Sequence, residues 1–209
     1  MGEPAAVSVS TKPYAWLKPG VLIGCLIPLA LMLVDAARGQ LGADPVAIAL
    51  NRLGLLALIT LVASLAATPL RLALGWAWPL RLRRMLGLFA FLYASLHVGL
   101  YLAIDQGFDL KAIARDISER KFISAGFAAF MVLVPLAATS PLRMRRILGP
   151  KRWQRLHRLV YLAGCLAVLH FVWRVKRDLT EPALYAAVLS VLLVIRITHR
   201  KPRAQRAQA

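Results

Sequence analysis

The chain has little of what builds a disulfide framework, a zinc site or a soluble catalytic domain. Among 209 residues there are two cysteines, Cys25 and Cys165, and both lie within apolar stretches. They form neither a CxxC nor a CxxCH motif, which argues against a zinc site and against covalently attached haem. The motifs GxGxxG, GxxxxGK[ST] and HExxH are missing as well. We therefore expect no NAD(P)H-binding domain within the chain itself.

Acidic residues are also scarce. Nine Asp and Glu stand against 27 Lys and Arg, which gives a formal net charge of +18. Such a charge can indicate nucleic-acid binding, but here the basic residues lie between apolar spans rather than along one soluble face. We therefore exclude nucleic acid as a partner and expect the anionic headgroups of a lipid bilayer instead.

Apolar residues make up 59% of the sequence, above the roughly 45–50% of soluble domains. Runs of bilayer-spanning length recur six times. We predict an all-α integral membrane protein, a bundle of six transmembrane helices at about 20–34, 53–67, 85–104, 122–138, 156–175 and 183–197. The membrane domain covers 19–197, between tails at 1–18 and 198–209. Prolines at the predicted helix ends and connections are Pro69, Pro79, Pro141, Pro150 and Pro182.

The distribution of charge predicts the orientation of these spans. The two tails and the second and fourth connections hold 16 of the 27 Lys and Arg, whereas the first, third and fifth connections hold eight of the nine acids. Because basic connections stay in the cytoplasm, we predict cytoplasmic termini and a multi-pass protein of a bacterial inner membrane. The third connection, at about 105–121, is then one of two long periplasmic connections. It is either a small docking patch for a partner or a solvated connector.

A repeated segment relates the two halves of the chain. Residues 65–71 read LAATPLR and residues 136–143 read LAATSPLR, each at the end of a span. In the spans that follow, four residues recur at an offset of 73: Ala90, Ala94, Leu96 and His97 match Ala163, Ala167, Leu169 and His170. We predict an internal repeat in which spans 2–3 correspond to spans 4–5. It places one histidine at the same depth in each half.

A histidine inside a bilayer costs free energy unless it is paired or liganded. Two at one depth on parallel helices suit the axial positions of one haem iron, and the alanines three and seven residues before each leave a flat helix face for the macrocycle. We predict that His97 and His170 ligate one b-type haem. Arg52 and Arg174 flank that end and are candidate contacts for its propionates. The alternative is that each histidine hydrogen-bonds a neighbouring helix.

His157 lies thirteen residues before His170, and the matching position on the third span is Arg84. Arginine cannot ligate iron, and on an ideal helix His157 would face about 140° away from His170. Both observations argue against a second haem that is held, like the first, by matched histidines on the third and fifth spans. His157 and Arg84 are candidate quinol or flavin contacts, or His157 ligates a second haem with another partner. A plain interfacial role for His157 is the alternative.

Residues 151–161, KRWQRLHRLVY, followed by Leu169-His170, resemble the ferric-reductase-like transmembrane family, as does RRMLG at 83–87 followed by Leu96-His97. Length and span number are most similar to the haem-binding membrane subunits of periplasmic methionine sulfoxide reductase systems. The resemblance implies electron transfer from the quinone pool, ubiquinol or menaquinol, to a periplasmic molybdopterin enzyme that repairs oxidised methionines. It also implies haem b and FMN as cofactors, and functional roles for His97, His157 and His170.

Two other functions stay open from the sequence. One is a quinol-linked b-type cytochrome that serves a different periplasmic acceptor. The other is a haem-free transporter or assembly factor. No Ser-His-Asp or paired-carboxylate arrangement falls within the predicted spans. If the chain is a cytochrome of either kind, we therefore expect the final chemistry to take place on a partner protein.

Overall fold

The computed structural model describes Tyr14 and residues 16–199, and this part of the chain is almost entirely helical. A π-helical turn at Tyr101–Asp105 extends the third helix. Most of the predicted tails at 1–18 and 198–209 lie outside the described residues. In chain order the α-helices are α1 (Leu17–Ala37), α2 (Pro45–Leu74), α3 (Pro79–Leu100), α4 (Leu110–Glu119), α5 (Lys121–Ala138), α6 (Leu142–Leu148), α7 (Pro150–His157), α8 (Val160–Arg174) and α9 (Thr180–Thr198).

Among the described residues, six helical segments are long and apolar enough to cross a membrane: α1, α2, α3 with its π turn, α5, α7 together with α8, and α9. The predicted six-helix membrane fold is therefore confirmed. The helices are longer than the predicted apolar runs, since helical hydrogen bonding continues through the polar residues at their ends. The largest difference is in α2, which spans Pro45–Leu74 rather than 53–67.

The ends of α2 follow from local sequence. The Asp44 carboxylate accepts a hydrogen bond from the Ala47 N–H at 3.0 Å and so caps the start of the helix. Pro45 occupies the first turn, where a backbone N–H would have no acceptor within the helix, so proline is tolerated there. Gly75 ends the helix in the left-handed region, at φ 73°. The placement of Pro69 in a connection is wrong, because this residue is buried inside α2. Neighbouring helices allow interior proline in membrane helices.

Two predicted connections contain short helices. In the third connection, α4 begins at the Asp109 carboxylate, which accepts hydrogen bonds from the N–H groups of Lys111 and Ala112. In the fourth, α6 precedes α7, and the chain breaks its helical path at 158–159 before α8. The fifth span is therefore not one ideal helix. The rotation of about 140° between His157 and His170 was calculated for one ideal helix, and the turn at 158–159 interrupts that helix.

The core forms around α2. Its residues Leu58, Leu61 and Leu65 are buried together with residues from the four helices around it: Ala90, Leu133, Ala163, Val168 and Leu189. Ala90 and Ala163 are completely buried, and small side chains let helices approach closely, which stabilises helix association in a bilayer. The prediction that these two alanines clear space for a macrocycle is therefore wrong. They serve helix packing.

Helix α1 lies at the edge of the bundle, and Met32 is its buried residue. Inside it, Pro28 lacks an N–H, so the helix loses the hydrogen bond from residue 28 to the carbonyl of Gly24. The Tyr93 hydroxyl of α3 donates a hydrogen bond to the next carbonyl, that of Cys25. Farther along, Arg52 of α2 forms an ion pair with Asp35 at 2.8 Å. These polar contacts connect α1 to α2 and α3.

Candidate functional site

A cavity of about 580 Å³ opens at one end of the bundle, within the range of roughly 300–1,000 Å³ for ligand and cofactor sites. Helices α2, α3, α5 and α8 form its mainly apolar wall. We call this end the acidic end, because the connections there carry Asp35, Asp44, Asp105, Asp109, Asp116, Glu119, Asp178 and Glu181. The opposite end, where α3 and α7 begin, is the basic end. His97 and His170 both line the cavity, as do Ala94 and Ala167.

The orientation of His97 is set by α2. Its Nδ1 lies 2.9 Å from the carbonyl oxygen of Leu50. Because a carbonyl only accepts, Nδ1 must carry the hydrogen, which leaves Nε2 as the nitrogen with a lone pair. Gly54, one helical turn beyond Leu50, lies against the ring: a Cβ there would be 3.3 Å from its Cε1 and Nδ1.

The orientation of His170 is set in the same way by α5. Its Nδ1 lies 2.6 Å from the carbonyl oxygen of Phe122, so Nε2 again keeps its lone pair. Gly126, four residues beyond Phe122, makes room for the ring. A Cβ at this position would lie only 2.6 Å from Nδ1 of His170 and 2.9 Å from Cε1. Any larger residue would displace the imidazole.

The two rings are close and nearly perpendicular. Their centres are 6.2 Å apart and their planes meet at 85°. Imidazole nitrogens bind metal ions at about 2.0 Å, and the ring centre lies roughly 1.1 Å beyond the nitrogen, so two axial ligands of one ion have ring centres roughly 6 Å apart. Carbonyl partners that fix the non-ligating nitrogen are typical of metal-binding histidines. The pair therefore has the spacing and hydrogen bonding to hold one metal centre.

Both predicted arginines lie beside this cavity. Arg52 and Arg174 line it, and each has a protein partner. Arg52 is paired with Asp35 at 2.8 Å, and a guanidinium N–H of Arg174 donates to the side-chain oxygen of Asn51. Asn51 directly follows Leu50, the partner of His97, while Arg174 lies one turn after His170. Their hydrogen bond therefore connects the part of α2 that supports His97 to α8, the helix that carries His170.

His157 belongs to a separate polar network nearer the basic end. The Thr139 hydroxyl donates to the Pro135 carbonyl at 2.6 Å, so its oxygen accepts from Nε2 of His157 at 3.0 Å. The His157 ring stacks on Trp153 with centres 3.9 Å apart, and the Trp153 indole N–H donates to the Thr139 carbonyl at 2.8 Å. The nitrogen of His157 that remains for a ligand is Nδ1.

Arg84 reaches the next residue of the same segment. Its Nε donates to the Ser140 hydroxyl at 3.3 Å, directly beside Thr139. The structure thus brings Arg84 and His157 to neighbouring residues of the LAATSPLR segment. Thr139 and Ser140 were not identified from the sequence as site residues, although that segment had been singled out as a repeat.

Sequence reasoning also missed the supports of the two cavity histidines: Leu50, Gly54, Phe122 and Gly126. A signal was present, because each glycine follows its carbonyl residue by four positions and the two pairs are 72 residues apart. Leucine, phenylalanine and glycine are ordinary in membrane helices, however. The pattern acquires meaning only when α2 is packed against α3 and α5 against α8.

Comparison with known proteins agrees with this architecture. The family model of the ferric reductase like transmembrane component matches residues 53–168, from α2 to α8. The protein-methionine-sulfoxide reductase heme-binding subunit MsrQ of Deinococcus radiodurans is 51% identical over 88% of this chain and 91% of its own. Proteins of the same name from Rhodospirillum rubrum and Bordetella pertussis are 50% and 43% identical, over 90% and 92% of this chain and 91% and 94% of theirs. The chain therefore belongs to the ferric reductase like transmembrane family, among its MsrQ heme-binding subunits.

Proposed function

We propose that this protein binds haem b between His97 and His170 and passes electrons across the membrane to a periplasmic methionine sulfoxide reductase. The observation that carries the proposal is the pair of imidazoles on one cavity, 6.2 Å apart between ring centres, each with Nδ1 bonded to a backbone carbonyl. The names of the relatives, which describe heme-binding subunits of a methionine sulfoxide reductase, support the same function.

The site's residues fit this cofactor. Haem iron would supply one-electron redox chemistry when bound, and ligation by both His97 and His170 would leave the iron no open position for oxygen. Leu50 and Phe122 hold the rings through Nδ1, which would leave Nε2 of each ring to bind the iron. Apolar side chains of the cavity, such as Leu58 and Phe130, exclude water from the macrocycle.

The proposed propionate contacts are Arg52 and Arg174 at the cavity mouth. Guanidinium groups bind carboxylates through paired, charge-assisted hydrogen bonds. Arg52 would then contact both Asp35 and a propionate. Arg174 would either keep its hydrogen bond to Asn51 or replace it with one to a propionate. Asp105, Glu181 and Arg120 also line the cavity. A propionate would be favoured beside the guanidinium groups and disfavoured beside the two carboxylates.

Electrons would enter from quinol near Arg84 and His157. Nδ1 of His157 can accept a quinol proton, and Trp153 stacked on the ring holds it in place. The role as ligand of a second haem has less support, since Nε2 is engaged with Thr139. The resemblance also implies FMN, and an arginine such as Arg84 suits its phosphate.

The orientation we propose places the acidic end in the periplasm and the basic end in the cytoplasm of a bacterial inner membrane. Basic residues are retained on the cytoplasmic side during insertion, and the arginines of α6 and α7 all lie at the basic end. Quinol oxidation would then face the cytoplasm. The haem site, at the acidic end, would face the periplasmic partner. The resemblance to the ferric-reductase-like family implies that this partner is a molybdopterin enzyme.

The proposal is tested in membrane vesicles that carry the overproduced protein. Addition of a quinol substrate should reduce a b-type haem, seen as a sharp α band, and depletion of quinones should slow the reduction. Purified periplasmic methionine sulfoxide reductase with methionine sulfoxide should then reoxidise it. A colourless protein would support the haem-free alternative. A haem that is reduced but not reoxidised would indicate another acceptor, and quinone-independent reduction would indicate another electron donor.

A further inference from the structure

Polar contacts join the four helices of the cavity wall into a closed ring at the acidic end. Two of them are the histidine hydrogen bonds described above, which join α2 to α3 and α5 to α8. The third is the hydrogen bond from Arg174 to Asn51, which joins α8 to α2. The fourth contact joins α3 to the start of α5 and is formed by Tyr101, Asp116 and Arg120.

Tyr101 begins this fourth contact. It lies one helical turn after His97, just as Arg174 lies one turn after His170, and it is the first residue of the π-helical turn. Such turns are frequent at functional sites. The Tyr101 hydroxyl donates a hydrogen bond to Oδ2 of Asp116 in α4 at 3.2 Å. The helix that carries His97 is therefore attached to the connection that leads into α5.

Asp116 holds Arg120 beside the cavity. The two carboxylate oxygens lie 3.4 Å from Nε and Nη1 of Arg120, and the Asp116 side chain is 18% exposed, against 57% for Arg120. Of these two residues only Arg120 lines the cavity. Arg120 directly precedes α5 and lies two positions before Phe122, whose carbonyl orients His170. The fourth contact thus joins the helix of His97 to the support of His170.

The guanidinium group of Arg120 has the capacity for a second carboxylate. Its contacts with Asp116 are longer than the roughly 3.2 Å limit of a good hydrogen bond, whereas Arg52 is 2.8 Å from Asp35. A guanidinium carries five N–H groups, and the two directed to Asp116 leave three. Pairs of such groups match the two oxygens of a carboxylate. Arg120 can therefore bind a carboxylate in the cavity while Asp116 holds it in place.

We propose that Arg120 binds a propionate of the haem, and that Tyr101 and Asp116 are its positioning residues. This assignment rests on the proposed haem function. It adds a third guanidinium group to those of Arg52 and Arg174. Because Arg120 directly precedes α5, a propionate bound there fastens the haem to the same segment that orients His170. The ring of contacts then fixes the cofactor through one carboxylate as well as through its iron.

The test is redox-difference infrared spectroscopy of the full-length, haem-loaded protein in detergent. Cells supplied with 5-aminolevulinate labelled at its carboxyl carbon produce haem that carries carbon-13 in the propionate carboxyl groups alone, so the shifted bands report those groups. Arg120→Gln should move a labelled band. It should also lower the ratio of ferrous to ferric haem at a fixed potential roughly tenfold, or about 59 mV for one electron, because a positive charge that favours reduction is lost.

Three further variants separate a propionate contact from a general effect of charge or folding. Arg120→Lys keeps the charge but not the paired N–H groups, so it should move the labelled band and retain most of the potential. Tyr101→Phe removes no charge and should move the same band with a smaller change in potential. Arg115→Gln is the matched control, because Arg115 also pairs with an acid four residues away, Glu119 at 2.8 Å, but does not line the cavity. It should change neither the band nor the potential.

The outcomes distinguish this assignment from the function on which it rests. A wild type without haem would refute both. A haem-loaded wild type whose labelled bands are the same in Arg120→Gln would overturn the assignment alone. Equal changes in Arg120→Gln and Arg115→Gln would also overturn it, since the effect would then be one of diffuse charge. If Arg120→Gln does not fold, unchanged labelled bands in both Arg120→Lys and Tyr101→Phe would overturn it in the same way.

Discussion

Gly126 is the position where one added methyl group tests the geometry of the haem site. A Cβ at residue 126 would lie 2.6 Å from Nδ1 of His170, about 0.8 Å short of the 3.4 Å at which ordinary contact begins. The ring can swing away, so the Gly126→Ala protein should fold. A shift of about 0.8 Å would, however, lengthen the 2.6 Å bond to the Phe122 carbonyl beyond the roughly 3.2 Å limit of a good hydrogen bond.

The expected loss follows from these distances. Functional groups must be held within about 0.5 Å of their working geometry, and overpacking of this kind costs about 1–3 kcal/mol, equivalent to roughly five- to 150-fold weaker haem binding. Gly54→Ala is the milder counterpart, since its Cβ would stand 3.3 Å from the His97 ring and needs a shift of about 0.1 Å. Gly99→Ala is the control, because no atom lies within 4 Å of its added Cβ.

The assay is the haem content and reduced spectrum of the purified variants, with haem transfer to apomyoglobin as a measure of affinity. We expect Gly126→Ala to lose haem fastest, Gly54→Ala to lose it slightly faster than the wild type, and Gly99→Ala to match the wild type. If Gly126→Ala kept its haem as tightly as Gly99→Ala, His170 would not hold the metal in the arrangement described, and the argument from the two glycines would be refuted.

Three further predictions concern the attachment of α1, the orientation of the protein in the membrane and the role of His157. Tyr93→Phe should lower the stability of the protein by about 1 kcal/mol, because the hydrogen bond from α3 to the Cys25 carbonyl of α1 is lost; thermal unfolding in detergent measures this, and a change within error would contradict the role of Tyr93. Alkaline phosphatase fused after Asp116 should be active and fused after Arg146 inactive; the reverse would overturn the proposed orientation. His157→Ala should keep the haem spectrum but slow its reduction by quinol, whereas loss of the spectrum would make His157 a haem ligand.

The sequence was sufficient for the membrane fold because span length and apolar composition depend on the chain alone. Six spans were predicted, and the described part of the chain has six helical segments long and apolar enough to cross a membrane. The paired histidines were recognised by their equal spacing from repeated alanines. Pro69 shows the limit of such local rules. A proline stops a helix in water, but inside the bundle neighbouring helices stabilise α2 around it.

The supports of the site could not be predicted, because they depend on which helices pack together. Leu50 and Phe122 contribute only a backbone carbonyl, for which any residue would serve. Gly54 and Gly126 are required only because an imidazole from another helix lies against them. The partners of Arg52 and Arg174 likewise come from packing, and Asp35 and Asn51 carry no motif that would identify them.

The most direct test of the account is the spectrum of His97→Ala and His170→Ala, each purified and compared with the wild type and with His199→Ala as a control at the end of α9. The account predicts that the wild type and the control show a low-spin b-type spectrum, reduced by dithionite. Each cavity variant should lose that spectrum while it still inserts in the membrane at normal levels. An unchanged low-spin spectrum in either cavity variant would contradict the central claim that His97 and His170 hold one haem between them.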